Sequence, residues 1–212
     1  MIYSSLIREE DAHLVLDASV MINLHACGHG RDILASLARP AIVTEEVLQE
    51  LCVGGSKTPR EREFANALIS DGQLILESTI GEPSDIYFEL LSDPRSLDDG
   101  EASTLAVAIA NGYVPVIDER KARRELTDFR NKPEPPNSLD LFTHKAALAK
   151  LGENGVASAV YSALRKANMR VRLDQREFVL ELIGRERAVE CNSLPNFKSL
   201  KPELEQQIID GR

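Results

Sequence analysis

Carboxylates stand on both sides of a helix-strand unit in the stretch SLDDGEASTLAVAIANGYVPVIDERKARR, residues 96–124. Asp98, Asp99 and Glu101 precede apolar residues at helical spacing, and Asp118 follows the apolar run VPVI. A further acid, Asp17, ends the apolar run LVL. An acid that ends an apolar strand is costly to bury without a partner, which makes these positions candidates for chemistry.

The predicted strands place these acids at one edge of a sheet. In an open parallel sheet, functional groups gather beyond the carboxyl ends of the strands, so Asp17 and Asp118 should face one crevice. Glu101 lies in the first turn of the helix before the Asp118 strand, and Glu50 lies on the helix after the run AIV. Either glutamate reaches the crevice if its helix is suitably oriented.

Carboxylates held this close repel one another and raise one another's pKa unless a cation compensates. A hard divalent cation is the natural compensator. Mg²⁺ prefers oxygen ligands, keeps several waters and uses one or two direct carboxylates. Such a site suits phosphodiester hydrolysis, because the cation activates water and neutralises phosphate charge.

Structural interpretations of the same acids stay open. Asp98 and Glu101 have the spacing of a capping box, in which Asp98 is the N-cap and Glu101 reaches back to it. Glu50 on an amphipathic helix is more commonly a solvated surface residue. Asp17 has no comparable explanation, and it is the combination of acids that favours a metal site.

Strand and helix signals alternate along the chain. Strand-like runs occur at 14–16, 41–43, 73–78 and 114–118, and helical patterns lie between them and again downstream to about residue 184. Thr44 is a good N-cap, and Asn111-Gly112 is a good helix end. The pattern predicts an α/β fold, a three-layer α/β/α sandwich with a central, mainly parallel sheet. The polar, proline-bearing segment 185–212 is expected to be an arm or a loosely packed extension.

Composition bounds the class of protein. The chain has 212 residues, of which 43% are hydrophobic, enough for one buried core. No apolar run approaches the ~18 residues of a membrane span, and the first residues lack a signal-peptide pattern, so we expect a cytoplasmic protein without membrane association. The three cysteines lack paired spacing, so neither a disulfide framework nor a zinc site is indicated.

Two clusters of basic residues could contact phosphates although the net charge is −9. The first follows Asp118 and comprises Arg120, Lys121, Arg123, Arg124, Arg130 and Lys132. The second lies near a later helix end and comprises Arg165, Lys166, Arg170 and Arg172. Phosphate contact is expected for the first because it starts two residues from Asp118. For the second, interaction with a helix dipole or with nearby acids is expected instead.

Four motifs in order resemble the PIN-domain proteins: LVLDASVMINL, VTEEVLQEL, LDDGEASTLAVAIANG and VPVIDERKARR. The likeness is strongest to a branch that carries GEA and IDERKAR. It covers about residues 12–184, the predicted PIN-like nuclease domain, and leaves 185–212 outside. The resemblance implies a metal-dependent ribonuclease that hydrolyses phosphodiester bonds of single-stranded RNA with Mg²⁺ or Mn²⁺.

The resemblance also assigns roles by motif. The acidic, catalytic quartet would be Asp17, Glu50, Glu101 and Asp118, of which Asp17, Glu101 and Asp118 would bind the metal. Ser19 would support Asp17, and Asp99 and Glu119 would be reserve acids. The residues expected to contact RNA are Arg120, Lys121, Arg123 and Arg124. At position 101 this chain has a glutamate, whereas the commoner toxins among PIN-domain proteins usually have an aspartate.

PIN-domain proteins include many toxins of toxin-antitoxin pairs and commonly dimerise. The resemblance therefore implies an RNA substrate, a protein antitoxin and a homodimer as partners. A second class stays open, a non-catalytic PIN-like module that binds RNA or protein and uses the acids for structure.

Overall fold

The computed structural model describes residues 5–8, 12–53, 60–92 and 97–211. Its strands are β1 (Leu14–Leu16), β2 (Ala41–Thr44), β3 (Leu74–Glu77) and β4 (Val114–Val116). They form one sheet in the order β3-β2-β1-β4, and every pair is parallel. The four strands coincide with the predicted apolar runs.

Helices fill the intervals between strands and make up most of the rest of the described chain. Those up to β4 are α1 (Ala18–Cys27), α2 (Gly30–Ser36), α3 (Glu45–Val53), α4 (Arg60–Ser70), α5 (Glu82–Leu91) and α6 (Asp99–Asn111). Those after β4 are α7 (Arg120–Arg124), α8 (Ser138–Phe142), α9 (Lys145–Ala167), α10 (Arg176–Ile183), α11 (Arg185–Ala188) and α12 (Phe197–Ile209). A π-helical turn (Glu125–Phe129) follows α7, and a 3₁₀ turn (Leu173–Gln175) precedes α10.

Alternate side chains of the central strand enter two different cores. Leu14 and Leu16 of β1 belong to the larger core, which also includes buried residues of α1 and α9. Val15 packs on the opposite face with Ile42 of β2 and Val107 of α6. Successive side chains of a strand point to opposite faces, so both faces of this sheet must be covered by helices. This is the predicted three-layer α/β/α sandwich.

Local sequence signals set the ends of the helices that matter for the site. The hydroxyl of Thr44 accepts a hydrogen bond from the Val47 amide at 3.2 Å, which caps α3 as predicted. Helix α6 starts at the capping box of Asp98 and Glu101 and ends at Gly112, whose φ of 66° favours glycine.

The C-terminal segment is more firmly packed than expected. Residues 185–211 contain two helices, and Ala188, Cys191, Leu200 and Leu204 are buried in the larger core. This extension therefore rests on the rest of the protein instead of forming a loose arm, because its apolar residues recur at helical spacing and find a surface to cover. The division of the chain at residue 184 stays a prediction. None of the described helices combines the length and apolar character needed to span a bilayer.

Candidate active site

The middle of the sheet brings the ends of β1 and β4 together. These strands are neighbours in register, with Leu16 opposite Val116. The Asp17 amide extends the pairing by donating to the Val116 carbonyl at 3.3 Å. The residues that follow the two strands, Asp17 and Asp118, therefore emerge at the same edge of the sheet, as the sequence predicted.

Asp17 is buried and serves as the N-cap of α1. It is only 3% exposed. Its Oδ2 accepts a hydrogen bond from the Ser19 hydroxyl at 2.6 Å and a longer one from the Ser19 amide at 3.4 Å. The hydroxyl thus fixes the orientation of this carboxylate, and the part of Ser19 in a metal site stays a prediction.

Asp118 lies in a small network of polar side chains. Its Oδ1 accepts from the Ser138 amide at 2.8 Å. Its Oδ2 accepts from the Asn23 side chain at 2.7 Å and from the Ser138 hydroxyl at 2.7 Å. Asn23 also donates to the Ser138 hydroxyl at 3.1 Å. Donors from α1 and α8 therefore hold the carboxylate in one orientation.

Glu101 takes part in the capping box and faces the other acids. Its amide donates to Asp98 Oδ1 at 2.8 Å, and its own Oε2 accepts from the Asp98 amide at 3.4 Å. The capping box predicted from the sequence is therefore present. Glu101 is nevertheless only 6% exposed, and the charge of Asp17 is close enough to raise its pKa.

Glu50 reaches the first turn of α6 because position 100 has no side chain. A Cβ built on Gly100 would lie 2.1 Å from Glu50 Oε2. Any other residue at position 100 would require this carboxylate to move. Glu50 as a residue is exposed, but its carboxylate is packed against α6, so the surface interpretation describes only part of its environment.

Burial and mutual repulsion shift the pKa values of these acids upwards. Burial raises the pKa of Asp17 to about 6, and the charges of Asp118 and Asp98 contribute in the same direction. Burial, then Asp98 and Asp17, raise the pKa of Glu50 to about 7 and that of Glu101 to about 7. Burial also raises the pKa of Asp118, against its hydrogen bonds. The crevice therefore gathers acids that disfavour one another's charged forms.

The two reserve acids lie at the rim and have partners. Asp99 accepts a hydrogen bond from the Tyr87 hydroxyl at 2.8 Å. Glu119 forms an ion pair with Arg170. Both acids contribute to the raised pKa of Glu50, so they belong to the same electrostatic cluster.

The predicted RNA-contacting residues differ in their exposure and in their ion pairs. Arg123 is 14% exposed and pairs with Glu134 at 3.2 Å, and its charge lowers the pKa of Asp118. Arg124 pairs with Asp128 at 2.8 Å. Arg120 and Lys121 are exposed, and Arg120 makes no ion pair with the described residues. RNA contact by these four basic residues stays a prediction, and Arg123 is the least accessible of them because it is 14% exposed and pairs with Glu134.

The donor set fits a hard divalent cation in kind. The groups that face the crevice are carboxylates with a serine hydroxyl beside one of them, and Mg²⁺ or Mn²⁺ prefers such oxygen ligands. Among the described residues, however, no three His, Cys, Asp or Glu side chains stand together closely enough to hold a metal ion as they are. As these side chains lie, a cation here would have fewer than three of them as direct ligands, and waters would supply the rest.

A family model for the PIN domain matches residues 13–130, more than half of the 212-residue chain. The chain belongs to the PIN-domain family. The match includes all four acids of the predicted quartet. PIN domains are generally nucleases and typically use divalent metals. Searches of curated proteins and of solved structures found no significant match.

Sequence reasoning missed part of this PIN-domain site. Asn23 and Ser138 were not predicted, although an asparagine inside the apolar run VMINL is itself a sign of a buried polar contact. Asp98 was considered only as a cap, and its charge raises the pKa of three site acids. Nothing in the local sequence marks Ser138, because its role depends on how α8 lies against β4.

Proposed function

We propose that this PIN domain is an endoribonuclease that hydrolyses phosphodiester bonds of single-stranded RNA with Mg²⁺ or Mn²⁺. The observation that carries the proposal is the convergence of Asp17, Glu50, Glu101 and Asp118 from four different elements, with upward shifts of all four pKa values. A fold that needed these acids only as helix caps would not gather four of them, with raised pKa values, in a partly buried crevice.

Some of these residues would bind a cation, and others orient the side chains that bind it. Asp17, oriented by Ser19, and Asp118, oriented by Asn23 and Ser138, are the fixed carboxylates. Glu101 completes the predicted metal set. When bound, the cation would supply positive charge for the scissile phosphate and lower the pKa of a water.

The carboxylate of Glu50 is positioned by packing and could act on a substrate. It is held by packing against Gly100 and makes no hydrogen bond within the described residues. With a pKa of about 7 it exchanges a proton readily at neutral pH, so it is suited to take the proton of the attacking water. The expected products are a 3′-hydroxyl and a 5′-phosphate.

The decisive experiment is cleavage of labelled single-stranded RNA by the wild type and by Asp17→Asn, with EDTA, Mg²⁺ or Mn²⁺. We expect cleavage with either metal, none in EDTA, and at least a 100-fold loss in the variant with the fold intact by circular dichroism. Metal-independent activity, or undiminished activity of Asp17→Asn, would refute the proposal. A folded wild type that binds RNA but never cleaves it would support the non-catalytic module instead.

A more specific proposal concerns the biological role of the protein. The GEA and IDERKAR motifs suggest the toxin of a toxin-antitoxin pair, acting in the cytoplasm as a homodimer and held in check by a protein antitoxin. Growth arrest on induced expression, relieved by Asp17→Asn and by co-expression of a neighbouring small gene, tests this role. Sedimentation of the purified chain tests the dimer.

A further inference from the structure

We propose that Arg170 is a contact for the RNA phosphate backbone at the rim of the crevice, held there by the segment 168–175. This inference rests on the proposed ribonuclease function and adds a substrate-binding residue to it. Arg170 lies outside residues 13–130, the part of the chain that matches the PIN-domain model. From sequence it was expected to complement a helix dipole or to pair with a nearby acid, and it does pair with Glu119.

Arg170 is at the crevice because its ion-pair partner is the neighbour of a site acid. Its guanidinium pairs with Glu119, which directly follows Asp118. The Glu119 carboxylate in turn is close enough to Glu50 and Glu101 to raise the pKa of each. The guanidinium therefore stands at the edge of the acidic cluster, where a phosphate next to the scissile one would pass.

The backbone around Arg170 directs its side chain outwards. Helix α9 ends at Ala167, and the left-handed φ of 53° at the C-cap Asn168 turns the chain back. Met169 and Val171 are buried in the larger core, whereas the Arg170 side chain between them is 61% exposed. Because both neighbours are anchored in the core, the Arg170 side chain lies on the solvent side, where it pairs with Glu119.

A polar network ties this segment to the site. Asn137 Nδ2 donates to Gln175 Oε1 at 2.8 Å, and the same oxygen accepts from the Arg172 amide at 3.0 Å. Asn137 is the N-cap of α8, whose first residue, Ser138, donates twice to Asp118. The carboxylate of Asp118 and the base of the Arg170 segment are thus fixed to the same helix start. Gln175 is 1% exposed, so this connection is a buried one.

Charge and chemistry favour RNA phosphate as the ligand. An exposed ion pair such as Arg170 with Glu119 contributes little stability and exchanges partners easily. A guanidinium binds phosphate through two parallel hydrogen bonds, which a carboxylate-bound arginine can adopt by a small rotation. Arg123, which is 14% exposed and pairs with Glu134, is less accessible to RNA than Arg170, which is 61% exposed.

The test measures RNA affinity against salt for Arg170→Ala in an Asp17→Asn background, which removes cleavage. The probe is a fluorescein-labelled single-stranded RNA of mixed sequence, followed by anisotropy. The matched control is Arg165→Ala, because Arg165 is also exposed and ion-paired, at 3.1 Å to Glu190. We expect Arg170→Ala to weaken binding about 3- to 10-fold at low salt. The slope of log affinity against log salt should fall by about 0.7, as for one phosphate contact.

Other readouts separate substrate contact from a structural effect. Arg170→Lys should restore part of the affinity and the full salt slope, and the melting temperature of Arg170→Ala should equal that of its background. In the cleaving protein, Arg170→Ala should raise KM and change kcat less. Gln175→Ala should weaken binding alone but add little to Arg170→Ala, since it acts through that residue.

An affinity and salt slope equal to those of the Arg165→Ala control would overturn the inference. If the wild type cleaves RNA with metal while Arg170→Ala has an unchanged KM, this inference fails and the proposed function stands. If the wild type neither binds nor cleaves RNA, the proposed function fails and Arg170 is no phosphate contact.

Discussion

Asp17→Asn should make the metal-free protein more stable at neutral pH, although it abolishes the proposed activity. The substitution removes a negative charge from a residue that is 3% exposed and faces other acids. It keeps an oxygen that can accept from Ser19, and asparagine is as good an N-cap as aspartate. The change therefore isolates the effect of the charge.

The magnitude follows from the pKa of Asp17. Burial, with the charges of Asp118 and Asp98, raises this pKa from 3.8 to about 6. At 1.36 kcal/mol per pKa unit, holding the carboxylate charged costs about 3 kcal/mol of folding free energy at most. This pKa already includes the opposing effect of the hydrogen bond from Ser19, so that bond needs no separate correction. The expected gain is up to about 3 kcal/mol, or about 6–12 °C in Tm for a chain of this length.

The pH dependence gives the sharper test. The folded pKa of Asp17 lies above its unfolded value, so the folded state binds more protons between them and wild-type stability falls as pH rises through this interval. Below pH 3.8 both states are protonated and the cost disappears, whereas above about 6 it is complete. The difference between Asp17→Asn and wild type should therefore be small near pH 4 and full at pH 7.5.

Thermal unfolding in EDTA, followed by circular dichroism from pH 4 to 8, measures this difference. Saturating Mg²⁺ should then stabilise the wild type more than the variant, by about 2.7 kcal/mol at 100 times the dissociation constant. Ser19→Ala is the control, because it keeps the charge and removes the hydrogen bond at 2.6 Å, so it should destabilise more at pH 7.5 than at pH 4. A lower Tm for Asp17→Asn in EDTA at pH 7.5 would show that the carboxylate is a structural acceptor and refute the reasoning.

Asp118→Asn should have the opposite effect and lower the free energy of unfolding by about 1–3 kcal/mol in EDTA. Both carboxylate oxygens of Asp118 accept from donors, and the NH₂ group of an asparagine would face one of these donors. An unchanged urea midpoint would contradict this prediction. Glu101→Gln should reduce cleavage at limiting Mg²⁺ at least 10-fold, and its Tm in EDTA at pH 7.5 should be equal to or above that of the wild type, because Gln also serves in a capping box and the charge with a raised pKa is removed. Asp98→Ala, which removes the N-cap, should cost about 1 kcal/mol in the same melt, and equal cleavage by Glu101→Gln and wild type would remove Glu101 from the site. Cleavage at limiting Mg²⁺ should rise with pH up to about 7, because Asp17 and Glu101, with pKa values of about 6 and about 7, must lose protons to hold a cation; a rate profile that is flat from pH 5 to 7.5 would argue against their part in metal binding.

The sequence by itself determined the elements and where the main acids stand on them. Apolar runs of strand length, Thr44 and the capping box at Asp98 are local signals, and each strand or helix start that they predict is present. Because parallel strands end at a common edge, Asp17 and Asp118 could be placed together from the chain order alone. Local sequence signals and the rule for parallel strands were sufficient to predict the elements and the edge at which Asp17 and Asp118 lie.

The tertiary structure alone decided which distant groups touch these acids. Asn23 and Asp118 are 95 residues apart in the chain, and Glu119 and Arg170 are 51 apart, so no local pattern links them. The contact between Glu50 and Gly100 depends on how α3 lies against α6. The segment 185–212 was expected to be an arm or a loose extension because it is polar and contains prolines, and only the fold shows that Ala188, Cys191, Leu200 and Leu204 pack in the larger core. Side-chain partners and pKa values depend on burial and on charges across the fold, which only the folded chain brings together.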